Sequence, residues 1–159
     1  MTALSRPPRP RASVAPLRLP ERSLWARLGD RAREFQQELP NAQVRWCLDV
    51  PEGQAGPSET MAEAVSSIFD QLLDNIVRHA QPTQVELRVS AHASDLTLVV
   101  KDNGRGAPPS AFDRNDAYGV LDMRQRVAQF GGWLHIDSQL GVGTQVILTL
   151  PLFASARGA

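Results

Sequence analysis

Between Thr60 and Ala80 the residues Met61, Val65, Ile68, Phe69, Leu72, Leu73 and Ile76 recur at helical spacing and form one apolar stripe. A helix with such a stripe must bury it against another layer, and the next segments supply one. Gln84 to Ala91 alternates, with Val85, Leu87 and Val89 on one face, and Leu96 to Lys101 is more continuously apolar, as in a buried strand. Thr60 and Glu63 have the spacing of a capping box at the start of the helix, and Pro82 closes it.

The flanking segments read the same way. Leu24, Leu28, Phe35 and Leu39 predict a helix over Arg22 to Leu39, ended by Pro40 and Asn41. Gln43 to Val50 alternates as a strand, with Val44, Trp46 and Leu48 on one face, and Pro51 to Pro57 is a loop. A third helix is expected from Tyr118 to Phe130, stopped by Gly131-Gly132. Trp133 to Asp137 and Thr144 to Leu152 read as strands turning through Gly141-Val142-Gly143. This order predicts an α+β fold, a two-layer sandwich whose helices cover one face of a mixed, mostly antiparallel sheet.

Composition narrows the class. The 159 residues are 42% hydrophobic and 21% charged, which fits a globular domain. No apolar run approaches the ~20 residues of a membrane span, and the start lacks the about 7–15 apolar residues of an export signal. The single cysteine, Cys47, can form no internal disulfide. A cytoplasmic protein without a membrane segment is the expectation. Pro7, Pro8, Pro10, Pro16 and Pro20 preclude regular structure near the start, where Arg6, Arg9, Arg11, Arg18 and Arg22 face only Glu21. No aromatic residue interleaves these arginines, which argues against a nucleic-acid partner. The expected division is a disordered tail over 1–21, a linker-like helix and first strand over 22–56, a main domain over 57–153, and a tail over 154–159.

Several chemistries are absent. There is no phosphate-binding Gly-x-x-x-x-Gly-Lys motif and no Gly-x-Gly-x-x-Gly opening a helix after a strand. His79, His92 and His135 lack metal-ligand spacing. Three features remain. Gln71, Asn75 and His79 form a polar seam beside the apolar stripe, where side-chain oxygens could meet a ligand or its metal; an ordinary amphipathic boundary has the same pattern. Asp70 and Asp74 point away, and Asp74 can pair with Arg78. Asp102-Asn103-Gly104-Arg105-Gly106 follows the buried strand, where a carboxylate can accept from an exocyclic amine while glycines admit a flat ring; a plain turn is the alternative. Gly119 opens the third helix, where free N–H groups suit a phosphate, and Arg124 and Arg126 add positive charge or are simply solvated. Gly141-x-Gly143-Thr144 is most simply a hairpin turn.

In their order and spacing these segments resemble the ATP-binding catalytic domain of bacterial sensor histidine kinases, in the gyrase, chaperone, histidine kinase and MutL superfamily, and within it the nitrate-sensor branch. The motifs that carry the resemblance are LLDNIVRHA (72–80), VKDNGRG (100–106), YGVLDMRQRV (118–127) and GGWLHIDSQLGVGTQVILTLPL (131–152). The resemblance implies ATP held between the helices and a lid. Asn75 would coordinate Mg²⁺, and Asp102 would bind the adenine amino group with Gly104 and Gly106 lining the base. Gly119 would cradle phosphate, Arg78 and His79 would contact phosphate, and Thr144 would lie near the adenine.

The sequence also departs from that family's pattern. Gln71 stands where an acid usually precedes the metal-binding asparagine by four residues, and an amide cannot accept a proton. Ala117 and Asp122 replace usual glycines. No histidine precedes His79, so the expectation is a domain without its own phosphoacceptor helix, dependent on a partner phosphoacceptor protein and, downstream, a response regulator. The alternatives are a degenerate protein-binding module of the same fold and a serine kinase of the anti-sigma-factor type.

Overall fold

The computed structural model describes residues 23–108 and 118–153. The tails and Ala117 therefore lie outside the described residues. The chain runs α1 (Leu24–Glu38), β1 (Gln43–Asp49), α2 (Glu59–Asn75) with a π-helical turn (Ile76–Ala80), β2 (Gln84–His92), β3 (Asp95–Asp102), α3 (Tyr118–Gln129), β4 (Trp133–Gln139) and β5 (Gly143–Pro151). The strands form one sheet in the order β1-β2-β3-β5-β4. Only β1 and β2 pair in parallel, and the other three pairings are antiparallel.

Alternation decides which face of the sheet is covered. Val85, Leu87, Val89 and Ala91 of β2, Leu96, Leu98 and Val100 of β3, and Val146, Leu148 and Leu150 of β5 are all buried. They meet the α2 stripe predicted from sequence, every member of which is buried. Leu24, Leu28 and Phe35 of α1 and Met123 and Val127 of α3 join the same core. The helix and strand read as linker-like thus share a sheet and a core with the rest. Among the described residues no helix is long and apolar enough to cross a membrane.

Two local expectations are corrected. Ser58, not Thr60, caps α2: its hydroxyl accepts from the Met61 N–H at 3.2 Å, and the helix begins at Glu59. The helix also does not stay regular to Ala80, because its last turn widens to π geometry. Gln81, in a left-handed conformation (φ 50°), then ends it before Pro82.

Candidate functional site

The end of α2, the ends of β3 and β5, and the start of α3 enclose a cavity of about 470 Å³, a size typical of small-molecule sites. Its walls are largely apolar, with Leu72 and Ile76 from α2, Val100, Ile136 and Val146 from the sheet, and Val120 and Met123 from α3. Gln71, Asn75, His79, Asp102 and Thr144 bring polar groups to it. A flat apolar ring with a few hydrogen-bonding edges suits such a lining better than a compact polar metabolite does.

The π-turn tightens the alignment of three residues of one helix on this cavity. In a regular α-helix each four-residue step drifts by about 40° around the axis. The seam Gln71, Asn75, His79 would therefore spread over about 80°, still one face of the helix. The wider turn after Asn75 opposes that drift, and all three reach the cavity. Asn75 and His79 are exposed there, and Gln71 is half-buried.

Asp102 is the most constrained polar group. It continues the inward register of Leu96, Leu98 and Val100, so its carboxylate points into the helix-covered side with only 6% exposure. Burial raises its pKa above the ordinary 3.8, and backbone hydrogen bonds from Gly104 and Thr144 partly offset this. The Gly104 N–H donates to Oδ1 at 2.8 Å. A buried carboxylate with acceptor capacity to spare invites a donor from a ligand.

Around Asp102 the backbone is braced rather than free. The Asn103 side chain accepts from the N–H groups of Thr83 and Gln84, both at 2.9 Å, and donates to the Thr83 hydroxyl at 2.9 Å. The Arg105 N–H donates to the carbonyl of Ala80 at 2.8 Å, which satisfies an end group of the π-turn. These bonds tie the helix end that carries Asn75 and His79 to the loop that follows Asp102.

The other expected residues divide. Gly106 (φ 67°) and Gly119 line the cavity, and Thr144 faces it opposite Asp102 in the β3–β5 register. Gly104 does not line it; the lack of a side chain lets it pack against Ala80. Arg78 also lies off the cavity and pairs with Asp74 at 3.1 Å on the exposed side. Asp122 turns to Arg126, 3.7 Å away, and does not reach the cavity wall. Asp70, like Asp74, points away, here to Arg31 of α1 at 2.9 Å.

Sequence reading missed Ser138. It is buried at 7% exposure and bonded to Thr144. The signal was present, since Leu134, Ile136 and Ser138 share the inward parity of β4. The bracing by Asn103 had no comparable signal, because it depends on a contact between segments distant in sequence.

The donor set is compatible with magnesium but not with a protein cage. Among the described residues no group of three or more His, Cys, Asp or Glu side chains could hold a metal. Magnesium bound mainly through a ligand's phosphates and water needs only one or two protein oxygens, and the Asn75 amide can supply one.

Comparison with known proteins agrees with this geometry. The family model described as histidine kinase-, DNA gyrase B-, and HSP90-like ATPase matches residues 61–154, more than half of the chain. The sensor histidine kinase LiaS of Bacillus subtilis (strain 168) is 27% identical over 145 residues, which cover 91% of this chain and 39% of LiaS. The signal transduction histidine-protein kinase/phosphatase UhpB of Salmonella typhimurium is 29% identical over 140 residues, covering 87% of this chain and 26% of UhpB. The chain thus spans well under half the length of these relatives. Among solved structures, the histidine kinase domain of the blue-light activated histidine kinase EL346 from Erythrobacter litoralis superimposes with a TM-score of 0.67 at 24% identity, over 82% of this chain and 61% of that one. The Acinetobacter baumannii histidine kinase AdeS gives a TM-score of 0.62 at 13% identity, over 82% of this chain and 65% of its own. At these identities the structural likeness establishes the fold.

Proposed function

Since the chain belongs to the histidine kinase-, DNA gyrase B-, and HSP90-like ATPase family, we propose that it is the ATP-binding catalytic domain of a two-component sensor histidine kinase, acting on a phosphoacceptor histidine carried by another domain or chain. The single observation that carries this reading is that Asp102 and Asn75, from a strand end and a helix end, line one cavity.

In this reading the Asp102 carboxylate accepts from the exocyclic amine of adenine, and Val100, Ile136, Val146 and Met123 cover the ring. Gly106 and Ala107 flank the base edge. The triphosphate extends toward Asn75, His79 and the first turn of α3 at Gly119, whose backbone N–H groups face negative charge favourably. Bound magnesium would neutralise phosphate charge as transfer proceeds, and the Asn75 amide oxygen is the protein group that would hold it. The protein's contribution to transfer is mainly placement, with the acceptor histidine and a downstream response regulator supplied from elsewhere.

The magnesium dependence of binding is the test. Wild-type protein is expected to bind ATP more tightly with Mg²⁺ than with excess chelator in isothermal titration, and Asn75→Ala should lose that difference. Equal affinities for wild type with and without Mg²⁺ would remove Asn75 from the assigned role. Gln71 favours a second reading, a binding module that has lost chemistry, because the cavity wall carries an amide where an acid is needed to take a proton.

A further inference from the structure

Ser138 makes more contacts than its single hydroxyl proton can serve at will. Its Oγ accepts from the Ala107 N–H at 2.9 Å, lies 2.7 Å from Thr144 Oγ1, and lies 3.3 Å from the Gly143 carbonyl. The Ala107 bond takes one lone pair. One lone pair and one proton then remain for two neighbours. The Gly143 oxygen can only accept, so satisfying both contacts sends the Ser138 proton to Gly143. Thr144 must then donate its own proton to Ser138. The opposite assignment, Ser138 donating to Thr144, gives up the Gly143 contact in a place where Ser138 is buried.

The consequence falls on the cavity. Thr144 lines it, directly across the β3–β5 pair from Asp102. With its proton committed to Ser138, Thr144 turns only lone pairs toward a ligand. The adjacent Asp102 carboxylate also accepts. We propose that Ser138 is a positioning residue that fixes the direction of the Thr144 hydroxyl, so that this wall presents acceptors only and selects a 6-amino purine over a 6-oxo purine. An amine brings donors to both groups. A 6-oxo group brings an acceptor against acceptors, and the neighbouring N1–H can serve only one of the two, which leaves a buried polar atom unpaired. The inference rests on the nucleotide reading above and adds to it a residue off the cavity surface.

Without Ser138, the Thr144 hydroxyl is free to rotate and offer its proton to a 6-oxo group. The experiment is equilibrium binding of Mg-ATP and Mg-ITP to wild type, Ser138→Ala and Ser138→Thr. Wild type is expected to favour ATP. Ser138→Ala should lower the ATP-to-ITP affinity ratio by about tenfold, the worth of one hydrogen bond made or missed. Ser138→Thr keeps the hydroxyl and should hold the ratio near that of wild type. A purely structural role would weaken both nucleotides together, and an unchanged ratio in Ser138→Ala overturns the proposal while leaving ATP binding intact. Wild type that binds neither nucleotide overturns the nucleotide reading itself, a result distinct from the first.

Discussion

A side chain at Gly104 would collide with the carbonyl oxygen of Ala80, its Cβ standing 2.7 Å from the carbonyl carbon. The glycine that follows Asp102 by two residues is therefore a packing requirement, set by the end of the π-turn. Because the obstacle is backbone, it cannot move aside as a flexible side chain could. Gly104→Ala is expected to destabilise the protein by about 1–3 kcal/mol, as overpacking does elsewhere, and to weaken ATP binding by displacing Asp102. Urea denaturation monitored by circular dichroism checks the first effect, and a midpoint equal to that of wild type would contradict it.

Asn103 holds the start of β2 to the end of β3 through bonds to Thr83 and Gln84. Asn103→Leu removes the acceptor for two backbone N–H groups at once. A loss of about 1–2 kcal/mol is expected, a modest net hydrogen bond at each donor, since water reaches these exposed groups and replaces part of what is lost. Amide exchange offers a local readout: Thr83 and Gln84 should exchange much faster in the variant, whereas retained protection would mean that other acceptors replace the side chain.

The raised pKa of Asp102 makes the stability of the unliganded protein depend on pH in a defined direction. Burial favours the neutral acid in the folded state, so its contribution is fully present below the unfolded pKa and is lost as pH rises through the folded value. The window opens near the ordinary value of 3.8 and extends upward. Asp102→Asn has no such titration and keeps an acceptor for the Gly104 N–H. Its stability relative to wild type should therefore improve as pH rises from 4 to 7. Melting curves at several pH values test this, and parallel profiles for the two proteins would be the contrary result.

Gln71 faces the cavity close to Gly119, where an added Cβ would sit 2.8 Å from the Gln71 amide nitrogen. An acid in that place could take a proton from an attacking group, and general-base catalysis is worth about 10²–10⁴-fold when geometry is right. Gln71→Glu is expected to raise the rate of ATP turnover at least about tenfold. Steady-state release of phosphate measures it, and an unchanged rate would show that the amide is not the limiting feature.

The layers of the fold were legible because apolar periodicity reports burial directly. The stripe of α2 and the alternation of β2 gave both the elements and their inward faces. Asp102 was legible as a binding candidate on other grounds, as a carboxylate at the end of a buried strand beside glycines that admit a flat ring, while its inward register emerges only in the fold. The widening after Asn75 was not legible, because Ile76 to Ala80 carries no proline or glycine to mark an irregular turn. In the fold its end meets a distant segment, where Gly104 packs on the Ala80 carbonyl and the Arg105 N–H donates to it. Thr60 has the spacing of a helix cap because Glu63 completes a reciprocal pair with it. Ser58, at the end of the preceding loop, instead meets the first turn.

Thermal melting with and without Mg-ATP bears most directly on the claim that Asp102 and Asn75 together hold a nucleotide. Ligand at about a hundred times its Kd stabilises the native state by about 2.7 kcal/mol, which for a domain of this size corresponds to a rise of roughly 5–10 °C. Wild type should show that rise, and Asp102→Asn should show little of it while remaining folded. Identical melting of wild type with and without millimolar Mg-ATP, or an undiminished rise in Asp102→Asn, would contradict the account.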